Sequence, residues 1–568
     1  MPETKKYTCK CKNKIHGLIC NRKFGENEYR ITNDKDKCIF HCKKDIEYTW
    51  IFSEINSENN YYEYAKGKWN SGSVSYFWKE FNIYLNGKDE DIIIYDFIFP
   101  IYWIYQYNHE SILESLKDKT VRFFNCVFLD YIFIESKHYE IKNSIKRISF
   151  TNGCLFNREI KFNNIIFENG CTILNSEFKE DLVFTSCNFK YLFEVVNSHL
   201  NNIYLINIKA ECPVEINYNR DIIFNLNIRQ GNIQSLKILD NKISKLSFEN
   251  IDIGTINIDS KHPDLENYYL TEIVISENSE INRLILENMK VDGYSIIDSN
   301  IEEKSLMKKS KFTRTLFNNT KFSGITDFSE AEFSENVSFK LCSFDEVIFR
   351  DSKFFKELDL CDISFYKNKT FLGIKANMAN RETARIIKDS FEKENNIIEA
   401  NKFYALEMKE REEELKWGKD FFEKLIFSIH GWSSNHSQDW LLALFWILNI
   451  TFITSFVGRT INKSALEVHF IDRTLFLVLS IIITGIILFN IRKYIGNWSL
   501  FLISGFMYWI HIKLTGNYSL DNIANCINPF SVMNNWDNIT FNELIFKIII
   551  AYLIYQLIIS IRQNTRRK

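Results

Sequence analysis

The chain has 568 residues, 46% of them hydrophobic and 15% aromatic, which is enough length for two or more domains and enough apolar material for a large core. Lys and Arg total 70 against 72 Asp and Glu, so overall charge indicates neither a nucleic-acid binder nor an acidic mimic of nucleic acid. The 13 cysteines lie in a large chain whose opening residues lack a secretory apolar run, which points to a cytoplasmic N-terminal part and to thiols or metal sites rather than disulfides.

Residues 1–45 are rich in Lys and Cys, and they gather Cys9, Cys11, His16, Cys20, Cys38, His41 and Cys42 in a segment too polar to fold alone. Cys11, Cys20 and the pair Cys38-x-x-His41 offer four soft or borderline ligands and predict a structural zinc site, with Cys9 and Cys42 as substitute ligands. The irregular spacing leaves a competing reading open, a reduced flexible tail with incidental cysteines. Residues 46–120 form an aromatic-rich cap or linker, in which Val74 to Phe81 has the pattern of a short amphipathic helix. Its expected task is to close the first coil of the region that follows, whose open end would expose unpaired backbone groups.

Residues 121–375 are repetitive. From Tyr218 an apolar residue returns at every fifth position, through Ile223, Ile228, Ile233, Ile238, Ile243, Phe248 and Ile253 to Ile258. Neither helix nor strand keeps such residues on one face, but a chain that turns a corner every five residues does, and its stacked coils would bury an apolar column. Earlier centres run Phe150, Phe156, Phe162, Phe167, Ile173, Phe178, Phe184 and Phe189; later ones run from Phe312 to Phe371 with alternating steps of five and six. A small side chain stands two places before many centres, as in Cys126, Cys171, Ser176, Cys187, Thr320, Ala331, Cys342 and Ser352. This small-x-large unit resembles the pentapeptide-repeat family. The resemblance implies a right-handed quadrilateral β-helix, a rod on the order of 50–60 Å long. The six-residue steps, Pro213 at an expected centre and the blurred stretch 260–309 predict bulges or loops in the coil. Cys126, Cys154, Cys171, Cys187 and Cys342 occupy the small inward position and are read as core thiols.

Residues 376–430 change to helical spacing. Ala384, Ile387 and Phe391 share one face, as do Ile397, Ala400, Tyr404 and Met408, with Asn395-Asn396 as the turn of a helical hairpin whose Glu407 and Arg411 face solvent. Phe421, Phe422, Leu425, Ile426 and Ile429 form a stripe suited to a helix lying in a membrane interface. Residues 440–561 hold four apolar stretches, 440–457, 475–491, 498–514 and 544–561, read as a C-terminal α-helical transmembrane bundle. The basic residues after the second and fourth stretches, with the basic tail 562–568, place both termini in the cytoplasm. The polar run His430 to Trp440 is read as a turn capping the first spanning helix through Asp439 or Ser437, and not as a catalytic site. It resembles the junction of bacterial membrane-anchored pentapeptide-repeat proteins, which implies residence in a bacterial inner membrane.

The fold class expected is therefore mixed: β-helix, helical hairpin, then membrane helices. The function expected is a multi-pass membrane protein, without enzymatic activity, whose rod is a scaffold for a protein partner or for its own oligomer, with the lipid bilayer as its other partner. The alternative is an ion-conducting or transport subunit with a cytoplasmic sensor rod. DNA mimicry toward topoisomerases, known in the family it resembles, requires an acidic rod. Residues 121–370 hold 30 Lys and Arg against 36 Asp and Glu, so no nucleic-acid role is expected.

Overall fold

The computed structural model describes residues 6–12, 17, 19–44, 69, 71–100, 115–135, 143–218, 224–259, 270–463, 470–515, 521–534 and 541–565. His16, Ile223, most of the segment 46–70 and the tail residues Arg566, Arg567 and Lys568 lie outside them. The chain divides into two compact units, Met1–Asn377 and Met378–Lys568.

The first unit is a β-solenoid of about 10 turns. Its parallel ladders begin at Asp91–Tyr95, which pairs with Thr120–Phe124, so the coil starts ahead of the boundary expected at residue 121. A coil entered at Phe312 buries Phe312, Phe317, Phe322 and Phe328 on successive sides before Phe333 stacks on Phe312 with ring centroids 5.3 Å apart. Phe317 on Phe339 and Phe322 on Phe344 follow at 4.5 and 4.6 Å. The five-residue beat is thus the side of a coil, and the occasional sixth residue is taken up at a corner.

The small residue before each centre has a second task. Ser310, Thr320 and Ser352 donate their hydroxyls to the carbonyls of Leu286, Ile296 and Phe328 in the coil beneath, at 2.8, 3.0 and 2.7 Å. Alternate corners are left-handed: Asn278, Asn288, Asp298, Lys309, Asn319, Glu330, Leu341, Asp351 and Asp362 all have φ between 48° and 59°. Asn and Asp tolerate this region better than other side chains, which gives the Asn content a structural cause. The irregularities expected from the sequence occur as register shifts between Ala210 and Pro213 and between Ile281 and Arg283. At Gly231, with φ 123°, a Cβ would lie 2.0 Å from the Ile208 carbonyl oxygen, so this side of the coil passes too close to its neighbour for any side chain.

Among the described residues two helices precede the coil, α1 (Glu26–Thr32) and α2 (Ser71–Asn86). The amphipathic helix expected around Val74–Phe81 is α2, and its buried Phe77, Trp78 and Phe81 rings lie 5.7, 5.8 and 5.1 Å from Phe99 of the first coil.

The second unit opens with the helical hairpin, α3 (Arg381–Lys393) and α4 (Ile397–Glu414), whose first turns are capped by Asn380 and Asn396. Phe403, not Tyr404, is its buried aromatic residue, and it stacks on Phe391 at 5.6 Å. Glu407 is not on a solvated face: it is buried and paired with Lys388 at 2.8 Å and Arg385 at 3.5 Å. Spacing within one helix could not show that the facing helix supplies two cations. Helix α5 (Phe421–Ser434) exposes Phe422 and Ile426 at 77% and 66%.

The long apolar stretches form α6 (Trp440–Lys463), α7 (Phe470–Ile495), α8 (Trp498–Thr515) and, after the short α9 (Asp521–Ile527), α10 (Phe541–Thr565). Of the four spans expected, the structure supports one by length and composition. Among the described residues one helix, over Leu544–Gln563, is long and apolar enough to cross a membrane, while Trp440–Ser455 and Leu479–Arg492 are shorter apolar helices. Helix α8 carries His511 and Lys513 in its last turns. Lys547 donates to the carbonyls of Asn525, Cys526 and Asn528 at the end of α9.

Candidate metal centre

Three short segments bring the N-terminal cysteines and histidine together. An antiparallel ribbon pairs Tyr7–Thr8 with Lys23–Phe24 and continues to a bridge between Lys12 and Ile19. Cys9 is held on it by its own N–H to Arg22 O at 2.9 Å and by Asn21 N–H to Cys9 O at 3.0 Å. The third segment is a tight turn, in which His41 and Cys42 both donate to Cys38 O at 3.0 Å, placing the Cys38 thiol and the His41 ring on one side.

The ligand atoms of Cys9, Cys20, Cys38 and His41 all lie within 4.8 Å of one another. His41 Nδ1 is 3.2 Å from Cys38 Sγ and 3.6 Å from Cys9 Sγ, and its Nε2 is 3.2 Å from the Tyr95 carbonyl oxygen. Three of the four residues expected as ligands are therefore brought together, and Cys9 stands in the place given to Cys11. Cys9 is fully buried, whereas Cys11 is part-exposed nearer the Lys12–Ile19 end of the ribbon. Cys42 is buried but points to the Ile39 carbonyl oxygen at 3.5 Å.

The electrostatics are those of closely packed thiols. Bonds from Cys20 and Cys38 hold Cys9 well below the usual thiol range, and its bonds with Cys20 and Cys9 push Cys38 up. Burial pulls His41 down, but the bonds and charges of Cys20 and Cys9 outweigh it and raise the imidazole to about 9. Cys11 is pushed up to about 12, by burial first and the Cys9 charge second.

Around the cluster, groups from distant parts of the chain fix the turn. Glu28 accepts from Ile39 N–H at 2.7 Å and from Arg22, which also reaches Glu80 at 2.7 Å and lies 4.6 Å over the Phe40 ring. Buried Lys44 donates to Ile39 O at 2.9 Å, and burial lowers it to about 8. The Glu28–Ile39 and Arg22–Glu80 contacts had no sequence signal, because each is a pairing between segments rather than a spacing within one.

Residues 317–360 match the family model for pentapeptide repeats (9 copies). The solenoid is thus a pentapeptide-repeat coil. No curated protein and no solved structure matches the chain.

Within the pentapeptide-repeat coil, Cys126, Cys154, Cys171, Cys187 and Cys342 are all buried. Burial pushes Cys126, Cys171 and Cys342 up, the last to about 11, so these three behave as compact apolar groups.

The polar run before α6 folds into a knot. His430 Nε2 lies 3.0 Å from Ser437 Oγ, and the Ser434 and Ser437 hydroxyls both donate to Gln556 Oε1 at 3.1 Å. His436 faces Glu412 at 3.7 Å, and Asn435, His436 and Ser437 are successive left-handed residues. Burial pulls both imidazoles below the usual histidine range. Of the two caps expected for α6, Asp439 fills the position, accepting from Leu442 N–H at 3.0 Å and pairing with Arg492.

Proposed function

We propose that this protein is a scaffold tethered in a membrane by its C-terminal helices, with the rod as the docking platform for a protein partner. The observation that carries the tether is that those helices bury an apolar core and still present an apolar outer face. Ile482, Ile483 and Ile486 of α7, Phe501 and Phe506 of α8, and Ile548 and Ile558 of α10 face outward. Their inner faces pair polar groups: Asn449 with Ser504 at 2.9 Å, Ser455 with His511 at 3.2 Å, and Gln556 with Ser434. Water penalises such an outer surface and lipid does not, while interhelical polar pairs are what helices in lipid use to associate. In this reading the shorter helices also enter the bilayer, and the exposed stripe of α5 lies at its surface.

The rod supports the scaffold half. Its core positions are filled by packing, and its outer charges pair across coils, as in Arg283 with Glu303 and Lys353 with Glu332, leaving Leu341, Phe355 and Tyr366 as exposed anchors. The inner polar groups of the helices bond to one another or, as with Thr451, Thr454 and Thr484, to backbone carbonyls of their own helix, so nothing among the described residues favours ion conduction.

Two measurements test this. Alkaline carbonate extraction of membranes from expressing cells should leave the full chain in the pellet; release to the supernatant overturns the tether. Native mass analysis in mild detergent should show a partner that is lost from a chain lacking residues 91–377. A partner retained without the rod overturns the scaffold.

A further inference from the structure

We infer that Cys9, Cys20, Cys38 and His41 bind one structural zinc ion, and that this ion locks the N-terminal end of the pentapeptide-repeat coil. The chemistry of the donor set comes first. Three thiols and one imidazole suit zinc, and four protein ligands close a tetrahedral site, leaving no position for a reactive water. With metal–sulfur and metal–nitrogen bonds of about 2.3 and 2.0 Å, neighbouring ligand atoms on a tetrahedron lie about 3.5 Å apart. The His41 to Cys38 and Cys9 separations, 3.2 and 3.6 Å, bracket that value.

The orientation of His41 is a second, independent observation. Its Nδ1 faces the thiols, and its Nε2 is 3.2 Å from the Tyr95 carbonyl oxygen. A histidine bound to metal through one nitrogen characteristically donates the other N–H to a carbonyl or carboxylate. Three thiolates around a divalent cation leave one negative charge, and the cations of Arg22 and Lys44 are close enough to Cys38 to feel it. Loading the site sends the thiol protons to solvent.

The third observation assigns the ion its task. The described residues of segment 6–44 have little regular structure of their own: two-residue strands and a helix of seven residues. Such a segment holds its shape only if something ties its three ligand-bearing pieces together. The tied turn then completes the first coil. Phe40 O accepts from Ile98 N–H at 2.9 Å, Phe40 stacks on Phe97 at 4.5 Å, and His41 reaches Tyr95. Residues 38–41 thus cover the edge that the first coil would otherwise leave open, and the ion sets their position.

The test uses the full chain, purified in detergent under reducing conditions without added metal. Elemental analysis should find about one zinc per chain, and replacement by cobalt(II) should give the intense visible bands of a tetrahedral thiolate site. Cys9→Ser and Cys38→Ser should lose the metal and Cys11→Ser should keep it. Because those variants could also unfold, hydrogen exchange is compared on the unaltered chain with and without chelator. Chelation should strip protection from the Ile98 amide and leave the coil at 224–259 unchanged. Absence of bound metal, or retention by Cys9→Ser with loss by Cys11→Ser, overturns the site. Unchanged protection at Ile98 overturns its task as a lock.

Discussion

The solenoid and the C-terminal helices both bury an apolar core but differ in what they leave outside. In the solenoid the large apolar side chains, Phe312 to Phe371 among them, point inward and the charges of Arg283, Glu303, Lys353 and Glu332 point out. In the helices Asn449, Ser455, His511 and Gln556 are buried while Ile482, Ile486, Phe506 and Ile548 are exposed. Both interiors are apolar, the helices packing Phe445, Trp446, Ile450 and Leu553 inside, but the helices in addition bury polar pairs and turn a run of large apolar side chains outward.

The sharpest way to break the comparison is to empty the solenoid core. Phe328 is fully buried and stacks on Phe349 at 5.1 Å, so Phe328→Ala should cost about 3–5 kcal/mol by denaturant unfolding of the rod. A cost near zero would mean that the coil is not close-packed. The matching change on the helices is Ile486→Asp, at a side chain 58% exposed. In water it would be harmless, but facing lipid it should cost about 3 kcal/mol of insertion, read as loss from the carbonate-resistant membrane fraction.

Between these extremes stands Glu407. Glu407→Gln removes the charge that two cations share and should destabilise the hairpin by about 1–3 kcal/mol, with Lys388→Met in the same chain recovering part of the loss. Thermal unfolding of the single and double variants checks the coupling. The smallest effect belongs to the outer face of the rod, where Arg283 and Glu303 are both more than half exposed. Arg283→Ala should change stability by less than about 1 kcal/mol at ordinary salt. A larger loss would show that the cross-coil ion pairs act as a network.

Much of the solenoid was legible. A period of five matches the sides of the coil, and a small residue two places before each centre matches the inward hydroxyls and thiols that bond to the coil beneath. One available signal was passed over: Asn and Asp recurring every ten or eleven residues mark the left-handed corners, as at Asn278, Asn288 and Asp298. Glu407 and the choice of Cys9 over Cys11 were not legible, because each depends on what a distant segment brings to the same place.

By itself the sequence determined the periodic part of this protein, since a repeated side chain on a repeated backbone step packs the same way in every coil and the local rule is also the global one. It likewise determined where the helices lie and that their apolar residues outnumber what a hairpin needs. Only the tertiary structure decided which thiols meet, which carboxylate is buried, and which face of each C-terminal helix turns outward. Those outcomes depend on contacts between segments far apart in the chain, and no spacing within one segment encodes the position of another.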